Sequence, residues 1–146
     1  MLTDCTVTDL VKLLAEEDIK VIKLCEQRVV IEKQNILNRK IHLQGVDSLK
    51  NWVYAESIIY LDNLSEDFVN DLFNNNIPIG TLWLKYRMET FKSLISKDFE
   101  VVSKEDTVGF PEGTQLLSRK YQVFNNEKLI MEINEKFPIK HYLELF

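Results

Sequence analysis

Counted in twos, residues 128–137 place Leu129, Met131, Ile133 and Phe137 on one side, against Glu132, Asn134 and Lys136 on the other. That alternation predicts a strand with one buried face. Residues 35–45 repeat it, with Leu37, Ile41 and Leu43 against Asn38, Lys40 and His42, and so do residues 115–125, with Leu117, Tyr121 and Val123 against Ser118, Lys120 and Gln122. Residues 52–62 read as a strand whose more uniformly apolar side is Val53, Ala55, Ser57, Ile59 and Leu61. Residues 19–33, rich in Val and Ile, read as a strand with two mixed faces. A turn-like "GVDSLK" and a tight "NNE" corner separate neighbours, so the first three strands should form a meander and the last two a hairpin. "FEVVS" at 99–103 adds a brief sixth strand, and "TVGFPEGT" at 107–114 reads as a loop.

Three segments have helical spacing instead. Residues 8–17 carry Leu10, Val11, Leu13 and Leu14, with Thr6 or Thr8 as N-cap. Residues 65–74 open on Ser65 and two acidic residues, then present Phe68, Leu72 and Phe73. Pro78 starts a third helix, marked by Ile79, Leu82, Trp83, Tyr86 and Thr90 on one face and running to about residue 96. Lys85 and Glu89 on it have the spacing of a solvated pair, and Arg87 is expected at the surface. Adjacent strands interrupted by helices, without regular β-α-β alternation, predict an α+β fold in one domain, 1–146, built on a largely antiparallel sheet of about six strands.

Composition narrows the function. At 146 residues the chain has the length of one ordinary domain, and no repeat or linker divides it. Its net charge of −5 gives no reason to expect a nucleic-acid partner. No stretch is apolar enough to span a bilayer, and the start lacks a secretory pattern, so a cytoplasmic location without membrane attachment is expected. Cys5 and Cys25 form no C-x-x-C and read as ordinary small residues. With His42 and His141 as the only histidines, no metal is expected, and each histidine reads as structurally bland, His42 on the polar face of its strand. P-loop, G-x-G-x-x-G and G-x-S-x-G motifs do not occur.

The alternating strands each carry one residue that breaks the pattern. Arg39, Arg119 and Glu135 all fall on the apolar side. Buried charges cost several kcal/mol in desolvation, so these three require partners: one another, water or a ligand. A structural Arg–Glu ion pair is one solution. The other is a pocket whose two guanidinium groups bind an anion, since two arginines outnumber one glutamate. Glu56 lies on the less apolar side of its strand, which places it on a helix-free surface or in an interface.

The segments "RKIHLQG", "YAESIIYLDNL", "IPIG", "METFKSLI" and "LSRKYQVFNNEKLIMEINEKFP" resemble, in order and approximate spacing, the shorter branch of the chorismate lyase family. The resemblance extends from "DCTVTDL" to about Pro138. It implies a six-stranded antiparallel sheet flanked by helices, a buried aromatic-acid site, and conversion of chorismate to 4-hydroxybenzoate and pyruvate without metal or cofactor. It makes Arg39 and Glu135 the catalytic pair and aligns Pro78, Ile79 and Gly80 with the turn lining the product site. Relatives in ubiquinone synthesis draw a second arginine from the strand where Glu56 stands here, so Arg119 is expected to take over its carboxylate. Relatives also have a further stretch before "DCTVTDL", and its absence would open one side of the pocket or leave a homo-oligomer interface.

On this reading Arg39 and Arg119 hold the two carboxylates of chorismate, and Glu135 donates to the hydroxyl or protonates the leaving group. An apolar setting favours its neutral form, and a neighbouring arginine opposes that. Gly109 and Gly113 suggest that the loop at 104–114 closes the pocket. The alternative is a non-catalytic small-molecule binding module, related to the effector-binding domains of bacterial transcription regulators.

Overall fold

A computed structural model describes residues 7–74, 77–104 and 108–145. In chain order the elements are α1 (Val7–Ala15), β1 (Ile19–Ile31), β2 (Gln34–Gly45), β3 (Asn51–Tyr60), α2 (Glu66–Asn74), α3 (Ile79–Lys85), β4 (Thr90–Val101), β5 (Gln115–Asn125), β6 (Lys128–Pro138) and α4 (Ile139–Leu143). The six strands form one sheet in the order β1-β2-β3-β6-β5-β4, every neighbouring pair antiparallel. The expected meander is β1-β2-β3, and the expected hairpin is β5-β6. Both tight hairpins turn on two successive residues at positive φ, Glu32–Lys33 and Asn126–Glu127, the backbone that matches the twist of the flanking strands.

Helices cover one face of the sheet in two patches. Phe68 and Leu72 of α2 and Leu82 and Trp83 of α3 pack on Leu37, Ile59, Val123 and Met131. Val11 of α1 packs on Val21, Ile41, Leu43 and Val53. Each fully buried Leu or Phe here contributes roughly 2 kcal/mol. Ser65 caps α2, its Oγ accepting from the Phe68 amide at 3.2 Å. Thr8 lies inside the first turn of α1 and is not its cap; Thr6 and Cys5 lie outside the described residues.

The third helix is shorter than expected. It ends at Lys85, Arg87 adopts a left-handed φ of 52°, and Thr90–Val101 becomes the edge strand β4, which absorbs the brief strand expected at 99–103. Lys85 therefore pairs with Asp71 of α2 at 2.7 Å instead of with Glu89. The other face of the sheet also departs from its polar appearance. Val102, Val108 and Phe110 pack against Tyr54 and Leu116, and His42 lies buried beneath them, its Nε2–H donating to the Val108 carbonyl at 2.8 Å. The described part of the 104–114 loop thus sits on the face away from α1–α3, where it cannot close a pocket under those helices.

Candidate functional site

Strand register decides which inward charges meet. On the helix-covered face Arg39 of β2 stands opposite Ser57 of β3; one step along, Ala55 faces Glu135 of β6, Glu135 faces Arg119 of β5, and Arg119 faces Lys97 of β4. These residues form a polar seam between the two apolar clusters. The inward positions of Arg39, Arg119 and Glu135 expected from alternation are the observed ones.

Their partners differ sharply. Glu135, 4% exposed, is paired: Arg119 reaches its Oε1 through Nε at 3.1 Å and Nη2 at 3.0 Å. Burial and this carboxylate both push the Tyr121 pKa up. Arg39, 3% exposed, is not satisfied. Its Nε and Nη2 make no hydrogen bond, and its nearest anion, Glu26 Oε1, stands 3.5 Å from Nε and is shared with Lys23 at 3.2 Å. Burial lowers the Arg39 pKa, with Glu26 opposing. Nε and Nη2 are the parallel edge of the guanidinium that takes a carboxylate two-on-two.

A cavity of about 60 Å³ joins these groups. Arg39, Ser57 and Glu135 from the sheet, Thr8 from α1, and Pro78, Ile79, Gly80 and Trp83 at α3 all line it. Of the six expected site residues, five meet here. The sixth, Arg119, reaches the cavity through Glu135 and itself faces an adjoining apolar groove with Lys97, Phe99 and Leu117. Glu56 points to the opposite face, where it accepts from the Tyr54 hydroxyl at 2.6 Å.

Three further lining residues carried no mark of function in the sequence pattern. Trp83, 6% exposed, has an indole Nε1 without a hydrogen-bond partner. Lys92 of β4 brings its ammonium to 5.6 Å from the Trp83 ring and 5.4 Å from the Tyr121 ring. Although much of Lys92 is exposed, these surroundings lower its pKa by desolvation, with Glu135 opposing and Arg119 reinforcing. Tyr121 forms part of the wall. Trp83 and Tyr121 look like ordinary core residues in the sequence, and Lys92 fell in a stretch with apparent helical spacing. Among the described residues no cluster of His, Cys, Asp and Glu could hold a metal ion, and no helix is long and apolar enough to cross a membrane.

Solved domains of bacterial transcription regulators share this architecture. The chain is similar to the effector domain of PhnF from Mycobacterium smegmatis, with a TM-score of 0.69 at 8% identity over 94% of this chain and 90% of that one. The ligand-binding domain of a putative GntR-family regulator from Bordetella bronchiseptica gives 0.56 at 11% identity over 82% of each chain. A possible transcriptional regulator, YydK from Bacillus subtilis, gives 0.62 at 11% identity over 84% of this chain, which spans only 59% of that protein's length. Such identities speak for the fold alone. No curated protein matches the chain in sequence. The family model described as chorismate pyruvate-lyase Rv2949c-like matches residues 1–145, and the chain belongs to that family.

Proposed function

We propose that this protein removes pyruvate from chorismate to leave 4-hydroxybenzoate. The observation that carries the reading is the Arg39 side chain, buried at the floor of a cavity with its bidentate edge unpaired. A buried guanidinium in that condition is costly unless a ligand carboxylate meets it. Membership of the family supports chorismate as the source of that carboxylate.

Arg39 binds one carboxylate and fixes the ring against the sheet. The ammonium of Lys92, above Trp83 and Tyr121, is placed to take the second in the role expected of Arg119. Arg119 instead acts as a positioning residue, holding Glu135 at the cavity wall. As the ether bond breaks, the ring loses the proton beside it and becomes aromatic; Glu135 receives or relays that proton, and the released enolpyruvate takes one up to become pyruvate. The cavity is far smaller than the few hundred Å³ of a typical ligand site, so substrate entry requires α1 or α3 to lift from the sheet.

Incubation with chorismate should release 4-hydroxybenzoate and pyruvate in equal amounts, and Arg39→Ala and Glu135→Ala should each abolish turnover while remaining folded. Normal turnover in both variants would sink the assignment. The second reading, a binding module without chemistry, draws on the regulator effector domains that share the fold. It predicts no turnover, with 4-hydroxybenzoate still raising the melting temperature.

A further inference from the structure

We infer that Trp83 is a ligand-binding residue whose indole N–H completes a carboxylate clamp with Arg39, making the site selective for aromatic acids over neutral aromatics. This deepens the reading above and rests on it. Two elements that meet only in the folded protein, β2 and α3, each line one small cavity with a residue whose side-chain donor is buried and unpartnered. Nε and Nη2 of Arg39 present a side-on fork, and Nε1 of Trp83 adds a donor that carries no charge and accepts nothing.

The indole is held firmly in place. Leu82, beside it, is buried in the core between helix and sheet. The C-terminal end of α3 is tied to α2 by Lys85–Asp71 at 2.7 Å and by the Tyr86 hydroxyl, which donates to the Asp67 carbonyl at 3.1 Å and also bonds to Asp71. The Met88 amide closes on the Trp83 carbonyl at 2.9 Å. Lys92 covers the outer face of the ring. A side chain fixed this way cannot turn its N–H to solvent without disturbing α3, so an acceptor has to come to it.

The carboxylate is the acceptor that fits. Arg39, Trp83 and Lys92 offer only donors, and Glu135, the carboxylate of the wall, already accepts from Arg119 through two nitrogens. A planar aryl carboxylate can place its two oxygens among the Arg39 and Trp83 donors while its ring lies on Ile133 and Tyr121.

The test uses 4-hydroxybenzoate and, as a ligand of the same ring without the carboxylate, phenol. Trp83→Phe keeps an aromatic ring and removes the N–H. Calorimetry should show 4-hydroxybenzoate bound about tenfold more weakly by the variant, the loss of one hydrogen bond to a charged group, with phenol affinity unchanged. Equal weakening of both ligands would assign Trp83 a packing role and overturn the proposal, as would no weakening at all. A readout on the unaltered protein covers the case in which the variant fails to fold. The chain has two tryptophans, and the Trp83 indole N–H resonance should move downfield on addition of 4-hydroxybenzoate. Binding with both indole resonances unmoved refutes the Trp83 assignment alone. Failure of the wild-type protein to bind 4-hydroxybenzoate refutes the aromatic-acid reading of the site and this inference with it.

Discussion

Strand β2 buries one ionisable side chain on each face of the sheet, and the two are treated in opposite ways. His42, under Val108 and Phe110, hydrogen-bonds to the Val108 carbonyl and contacts the Tyr54 and Phe110 rings. Arg39, three residues earlier and under the helices, keeps two donors unpaired beside a cavity. A satisfied buried polar group rigidifies the fold, whereas an unsatisfied one is a standing cost that folding alone does not explain. Burial of polar residues is therefore a poor guide to function here, and the state of their hydrogen bonds is a good one.

The largest expected effect attacks the unsatisfied side. Arg39→Leu should weaken 4-hydroxybenzoate binding by about a hundredfold or more, because a ligand carboxylate loses its charged, bidentate partner. Stability in urea should hold or rise by about 1 kcal/mol, since the substitution removes a poorly compensated buried charge. A fall of about 3 kcal/mol with affinity intact would reverse the comparison and make the loose Arg39–Glu26 contact structural.

The satisfied side should respond through stability alone. Gly109 has a φ of 80°, and a Cβ placed there would meet His42 Cε1 at 2.4 Å. Gly109→Ala should cost about 2 kcal/mol or more by forcing the loop off the histidine. Gly113→Ala, at φ 88° with nothing within 4 Å, should cost only the backbone strain of about 1 kcal/mol. The difference between the two unfolding free energies measures the contact, and equal costs would mean that the loop is not seated on His42. Neither change should alter ligand affinity.

A smaller effect follows from pH. Burial holds the His42 pKa below its ordinary 6.5, so the unfolded chain binds more protons than the folded one as pH falls through 6.5. The histidine's contribution is fully present above that pH and is lost progressively below it, down to the folded pKa. His141 is lowered in the same direction. Stability measured from pH 7.5 to 5 should therefore decline, and His42→Phe should flatten the slope in part. An unchanged slope would remove His42 from the titration.

How much of this was legible in the sequence depended on where each residue finds its cover. Strands β2, β5 and β6 lie inside the sheet with one face beneath helices, so alternation placed Arg39, Arg119 and Glu135 correctly. It misjudged His42, whose cover arrives from a loop 66 residues away. It caught only the end of β4, at 99–103, because an edge strand need not alternate: Phe91, Leu94, Ile95, Phe99 and Val101 are all exposed, and the helical spacing from Ile79 to Thr90 ran on without a glycine to stop it. Lys92 and its place over Trp83 were lost with that strand. The pairing of Arg119 with Glu135, direct across β5 and β6, needed the register that no periodicity supplies.

The smallest prediction compares the same chemical change on the two faces. Glu56→Gln, on the helix-free face, leaves an amide oxygen to accept from the Tyr54 hydroxyl, so stability should stay within about 0.5 kcal/mol and ligand affinity should not change. Glu135→Gln removes the charge that Arg119 grips through two nitrogens, and it should lower turnover while the fold survives. Urea titration and chorismate turnover of the two variants, side by side, isolate the contribution of position from that of charge. If Glu56→Gln impaired turnover as severely as Glu135→Gln, the chemistry could not be confined to the seam beneath the helices, because Glu56 reaches that cavity from neither face of β3.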